Sequence, residues 1–257
     1  MMPGNLFRLQ LAAAFGDRRQ MVLRVGVSLL LSLPFVLIGM PPRAQAAGIT
    51  MVILFTGFFG AAVSHAHLRA DQRLARLSLL PIPRWTLWLD LALSSTLMRL
   101  GPSAVVLAAF AAVSGRNVTA GVLLNLAGLL CAALVLLALL GMGTGRLARS
   151  NAEVHLFGAM ATGLLALLSG VVPLPERLLW LTAIMAWNPI AWLSAALNRL
   201  ATGLTATSRA ELIFSWAVLA AVVVTAGVRW ISGGAYERRF STRGTIEDRT
   251  YMEVQAK

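Results

Sequence analysis

Hydrophobic and polar positions fall along this chain in long blocks rather than in short alternation. Runs without a charged residue extend from Val25 to Met40, Gly48 to Ser64, Val118 to Gly145, Val154 to Leu168 and Leu212 to Val228. Trp85 to Ser114 is apolar apart from Asp90 and Arg99. Such blocks predict membrane-spanning helices, because a helix rises about 1.5 Å per residue and roughly 20 apolar residues cross the hydrocarbon core. The pattern gives six spans. Pro34 predicts a kink in the first, which Pro41-Pro42 ends. The third would be about 45 Å long against a core of about 30 Å, so it either projects into the cytoplasm or tilts and kinks at Gly101-Pro102.

Three stretches depart from this plan. Residues 1 to 20 mix Leu6, Leu9, Leu11 and Phe15 with Arg8, Asp17, Arg18 and Arg19, which predicts a short interfacial helix. Between the second and third spans Arg69, Asp71, Arg73 and Arg76 are interleaved with Leu68, Leu74, Leu77 and Leu80, ahead of Pro81-Ile82-Pro83-Arg84-Trp85. Leu74, Leu77 and Leu80 recur every third residue, so one helix face is apolar and the other charged: a helix lying along the membrane surface. Ser169 to Arg199 is apolar enough for lipid but is broken by Pro173, Pro175, Glu176-Arg177 and Asn188-Pro189. That segment is expected to enter lipid and turn back.

Composition agrees with a polytopic membrane protein: 58% of residues are hydrophobic, 12% are charged, and the mean hydropathy is +0.77. The net charge of +12 does not point to nucleic acid, because the basic residues are strung between apolar runs rather than gathered on a polar face. They set topology instead. With both ends in the cytoplasm, the inner segments hold sixteen basic residues and the outer ones five, Arg43, Arg116, Arg177, Arg199 and Arg209. Cys131 is the single cysteine and lies in an apolar run, so an internal disulfide and a zinc-finger site are both excluded. The first span, followed by others, is expected to act as the targeting signal without cleavage.

Candidate chemistry is sparse. The only lysine is Lys257, so the chain has no Gly-Lys-Ser/Thr phosphate loop. Gly141, Gly143 and Gly145 lie at a span end with no strand before them and are expected to serve close helix packing. Asn117-Val118-Thr119 fits a glycosylation acceptor by chance, hugging the membrane. Asp90 and Arg99 are nine residues apart on one helix, close to opposite sides, and do not pair with each other. Asp90 is expected to be solvated or to join another helix. Arg99 is costly at mid-membrane and has two readings: a bond to the Met98 carbonyl, freed because Pro102 lacks an N–H, or a place on a substrate pathway. His65, His67, Asp71, Glu153 and His155 map to span ends. Since His65 and His67 diverge around their helix, interfacial roles are expected rather than a metal site.

In two places the sequence resembles the permease subunits of ABC transporters of the type-2 exporter class. The first is Ser169-Gly170, Pro173, Pro175, Trp180-Leu181 and Asn188-Pro189 with Trp192 after them, which match in order the end of that family's fifth span and its hairpin. The second is Pro81-Ile82-Pro83-Arg84-Trp85, which resembles the step from the coupling helix into span three; Gln72-Arg73-Leu74-Ala75 stands where the family carries Gly-Thr-Leu-Glu. The resemblance implies an all-α integral membrane protein. Its six transmembrane helices would carry an amphipathic cytoplasmic coupling helix over about 68–84 and an outer re-entrant helical hairpin over about 169–199. The transmembrane domain would cover 1–237 and a charged cytoplasmic tail 238–257.

By the same resemblance Arg73, Leu74, Arg76, Leu77, Leu80, Pro81 and Arg84 would couple to an ATPase. Ser169, Gly170, Pro173, Pro175, Asn188 and Pro189 would form the re-entrant gate, and Asp90 and Arg99 the candidate pathway positions. The chain itself would bind no cofactor; ATP and Mg would sit on a separate ABC ATPase subunit. Further partners would be a second permease, identical or homologous, and membrane lipid, in the cell membrane with both termini cytoplasmic. The cargo would be partly apolar, a drug, natural product or lipid taken from the cytoplasm or inner leaflet. Competing classes are an intramembrane metal-dependent hydrolase, which requires the His/Asp/Glu set to converge, and a non-transporting membrane anchor.

Overall fold

The computed structural model describes residues 7–8, 11–12, 16, 18–38, 40–79, 83–113, 119–172, 180–204 and 209–230. All regular elements among them are helices. They are α1 (Arg18–Leu37), α2 (Pro42–Ala70, with a π-helical segment at Phe55–Phe59), α3 (Arg73–Ser78), α4 (Arg84–Val113) and α5 (Ala120–Leu147), then α6 (Asn151–Leu168), α7 (Leu181–Met185), α8 (Pro189–Thr202) and α9 (Arg209–Trp230). Four of these, α2, α4, α5 and α9, are long and apolar enough to cross a membrane; the apolar stretches Met21–Leu37 and Ala152–Leu168 are shorter. Leu80, Pro81, Pro173, Pro175 and the tail 238–257 lie outside the described residues.

The bundle is built around α5, which touches α2, α4, α6 and α8. Leu129, Ala133, Leu134 and Leu137 on it are wholly buried. In lipid no hydrophobic force drives helix against helix, so close backbone approach has to hold them. Gly141 and Gly145 provide it: a Cβ on Gly141 would lie 2.5 Å from the Phe58 carbonyl oxygen, and one on Gly145 2.6 Å from that of Ala62. Gly143 faces open space. Gly141 and Gly145 are therefore the contact surface of α5 for α2, as their small-xxx-small spacing predicts, while Gly143 takes no part. Lower on α5, Gly128 admits α9, and Ser215 Oγ donates to the buried Asn125 Oδ1 at 2.7 Å. Phe7 and Leu11 are buried in one cluster with Leu93 and Val222, and the Arg8 guanidinium stands 4.8 Å over the Trp230 ring. These opening residues, expected along the membrane surface, pack on α4 and α9.

The two ends of the bundle turn the chain differently. At one end Pro42 starts α2 at a position where its missing N–H costs no bond, and Gly170, at φ +70, stops α6 in the left-handed conformation that suits glycine. There α7 and α8 fold back, and α8 lies on α2 and α5 with Ile190, Leu193 and Leu197 at most 1% exposed. At the other end α2 continues past Ser64 to Ala70, so Leu68 belongs to it. The surface helix of that stretch is α3 alone, six residues long. What breaks the helix is Gln72 at φ +55. Nearby, Ser150 caps α6 by accepting from Glu153 N–H, and Glu153 Oε2 accepts from Arg149 N–H at 2.6 Å, a capping box shifted by one residue. α4 runs through Gly101-Pro102 as one helix.

Candidate functional site

The polar island is the place where charge meets a short, separately held helix. Leu74 and Leu77 pack on a cluster of Leu87, Leu91, Ala92 and Met142, with Leu68 and Trp88 beside them. The apolar face of α3 is thus used against α4 and α5. Beneath it, Arg69 Nη1 donates to the Arg146 carbonyl at 3.2 Å, at the carbonyl-rich C-terminus of α5 where a cation is favoured. Arg146 in turn lies 5.5 Å over the Trp88 ring. What α3 leaves exposed is Arg73 and Arg76, with Leu79 after them at 84% exposure. Arg73 Nε stands 3.6 Å from Asp71 Oδ2 in an exposed pair. Arg84 and Trp85 continue the exposed patch into α4. Leu79 is absent from the sequence-derived set, which followed the every-third-residue spacing of Leu74, Leu77 and Leu80.

At the other end, Ser169, Gly170, Asn188 and Pro189 of the predicted gate stand at the end of α6 and the start of α8. Asn188 Oδ1 accepts from Ile190 N–H at 3.0 Å and caps α8, while its Nδ2 donates to the Leu168 carbonyl at 2.9 Å, one of the orphan carbonyls ending α6. One side chain therefore closes the hairpin. Pro189 occupies the first helical position, where its lack of an N–H is harmless. Ser169 is buried and bonds the Ala166 carbonyl at 2.9 Å. Trp192 Nε1 donates to the Ala186 carbonyl at 2.9 Å, and its ring meets Phe214 edge-on at 4.8 Å. Arg199 pairs with Glu211 at 2.5 Å, joining the end of α8 to the start of α9.

The two ionisable residues of α4 go to different helices. Asp90 is wholly buried, and the Arg229 Nε of α9 stands 3.4 Å from its Oδ1. The inter-helix reading of Asp90 is the one realised; Arg229, counted in the sequence among loop charges, is its partner. Arg99 turns toward α2: Nε donates to the Thr56 carbonyl at 3.3 Å, Nη1 to the Ser95 carbonyl at 2.7 Å and to Ser95 Oγ, and Nη2 to Ser64 Oγ at 3.4 Å. Among the described residues none of its bonds goes to Met98, which corrects that expectation. The reason lies in α2. A π-helical segment passes over one carbonyl where the regular ladder resumes, and Thr56 sits inside that segment.

The histidines disperse. His65 is buried against the Trp88 ring at 5.2 Å, His67 is exposed, and His155 lies 5.3 Å from the Phe59 ring. Among the described residues no three of His, Cys, Asp and Glu are grouped as metal ligands would be. The arrangement as a whole is a transmembrane scaffold with a basic surface helix at one end and a pinned hairpin at the other. Comparison with curated proteins and with solved structures returns no match. The family model of the ABC-2 type transporter matches residues 5–200, which takes in α1 to α7 and most of α8, so the chain belongs to the ABC-2 type transporter family as a permease subunit.

Proposed function

We propose that this permease works as the membrane half of an ATP-driven exporter, with a separate ABC ATPase seated on the bare face of α3. The observation that carries the reading is the division of that helix. Leu74 and Leu77 are spent on α4 and α5, while Arg73, Arg76 and Leu79 remain uncovered. A helix only anchoring to a membrane surface turns its leucines to lipid. Here they pack against residues of α4 and α5, so a push on the outer face of α3 passes into the bundle.

In this reading α1 and α6 complete six spans with α2, α4, α5 and α9, and the α3 end is cytoplasmic, following the split of basic residues. At about 21 Å, α8 is too short to cross a hydrocarbon core of about 30 Å, which supports a re-entrant hairpin on the outer side. ATP-driven closure of two ATPase subunits would move the α3 helices of two permeases and open the hairpin end to a partly apolar cargo. ATP and Mg would be held by the ATPase, since this chain lacks a phosphate loop.

Two measurements test this. The purified chain alone is expected to show no ATP hydrolysis and to acquire it only with a cassette partner; robust turnover by the isolated chain ends the proposal. Single cysteines at Gln72 and Ala44, both exposed, are expected to label from the cytoplasm and from outside respectively, and the reverse pattern refutes the orientation.

A further inference from the structure

Beside Arg99 lies a half-open pocket of about 340 Å³ between α1, α2 and α4. Its walls are largely apolar, including Leu23, Val27, Leu31, Phe55 and Phe59. Its charged lining consists of Arg99 and Arg24, two cations, with no carboxylate among the described lining residues. The groups that hold the Arg99 guanidinium are neutral: two carbonyls and two hydroxyls. They fix its plane without balancing its charge. A guanidinium has five N–H donors, and the bonds to Thr56, Ser95 and Ser64 leave donor capacity on Nη2, next to the cavity.

A cation in the middle of a span is costly unless it is paired or hydrated, and among the described lining residues no carboxylate pairs Arg99. The volume lies at the lower end of the range for small-molecule sites, which are mostly apolar with a few fixed polar groups. Counting along α2, Ser64 and Thr56 lie about 9 Å and 21 Å from the Ala70 end, which brackets Arg99 within one half of the bundle. An occupant matching all of this has one acidic group and an apolar chain.

We propose that this cavity binds a single-headed anionic amphiphile, its phosphate or carboxylate on the Arg99 guanidinium and its chain along Leu23, Val27 and Leu31 of α1. The same chemistry describes a resident membrane lipid and an acidic cargo. The site goes beyond the export reading and stands without it, since binding needs no ATPase.

The test uses the purified chain in neutral maltoside detergent, with dodecyl phosphate, dodecanol and dodecyltrimethylammonium as probes and bound mass read by native mass spectrometry. One dodecyl phosphate per chain is expected, at least tenfold tighter than either other probe. Arg99→Gln should abolish the preference and Arg99→Lys retain part of it. Val27→Trp, which obstructs the chain-binding wall of the pocket at a half-exposed position and leaves the guanidinium in place, should also abolish it. Equal binding of phosphate and alcohol overturns the site, and so does an undiminished phosphate preference in Val27→Trp, which decides the matter even if Arg99→Gln fails to fold. Adding the ATPase and ATP then separates the sources: release of dodecyl phosphate during turnover identifies cargo, and retention identifies a resident lipid.

Discussion

The α7–α8 hairpin and α3 both interrupt a bundle of long helices, but they use their polar groups in opposite ways. In the hairpin, Asn188 and Trp192 spend their donors on the hairpin's own carbonyls and on that of Leu168, and α8 buries Ile190, Leu193 and Leu197. In α3, Leu74 and Leu77 are partly buried against the bundle and the arginines are left outside with Leu79. The first is pinned to the end of α6 and to α9 and packed onto α2 and α5; the second is a mounted surface. A short helix held to the body by one face and bare on the other is what a docking element requires, whereas a pinned hairpin fits a part that moves as a piece.

Substitutions at matched positions sharpen that contrast. The largest effect is expected from Leu193→Asp, which places an unpaired carboxylate at a position with no exposure and should cost on the order of 3–5 kcal/mol. In a thermal unfolding scan in detergent the variant should be unfolded or gravely destabilised, while Arg76→Asp on α3 should stay within about 0.5 kcal/mol of wild type. Equal loss in the two variants would remove the distinction between a pinned and a mounted element.

Next in size is Asn188→Ala, which loses both the cap of α8 and the tie to Leu168. About 1–3 kcal/mol of stability and faster proteolysis near residue 188 are expected. Asn188→Asp keeps the acceptor for Ile190 N–H but not the donor, and should fall between the two. If Asn188→Asp is as damaged as Asn188→Ala, the cap is not what holds the helix start.

How far these features were legible in the sequence follows from whether their partners are local. Asn188-Pro189 reads correctly as a helix break because proline acts through its own local chemistry, whereas the cap that Asn188 gives α8 is seen only in the fold. The spacing of Leu74 and Leu77 gave α3 its apolar face, but the same face suits lipid, an ATPase cleft or the bundle itself, and only the fold selects the last. Asp90 announced the need for a partner without naming Arg229, which arrives from another helix late in the chain. For Arg99 the local rule pointed to Met98 through Pro102; a π-helical segment in α2, which leaves no simple mark in the sequence, supplied Thr56 instead. The end of α2 was read too early, at Ser64, because helix signals persist through His65 to Ala70 while hydropathy falls.

The smallest expected stability effect is at the turn into α3. Gln72 holds φ +55, a conformation that glycine adopts without steric cost and that other residues reach at a penalty. Gln72→Gly should therefore raise stability by about 0.5 kcal/mol, read as a small upward shift in the unfolding midpoint, and a loss would mean that the glutamine side chain has a role of its own.

The central claim is that the bare face of α3 receives the ATPase, and its most direct test is recovery of the ABC ATPase with affinity-tagged permease. The wild-type chain should bring it down. The double substitution Arg73→Glu, Arg76→Glu, which reverses the exposed charge and leaves Leu74 and Leu77 packed, should reduce recovery at least tenfold at an unchanged unfolding midpoint. Equal recovery and equal ATP hydrolysis with both permeases would contradict the account.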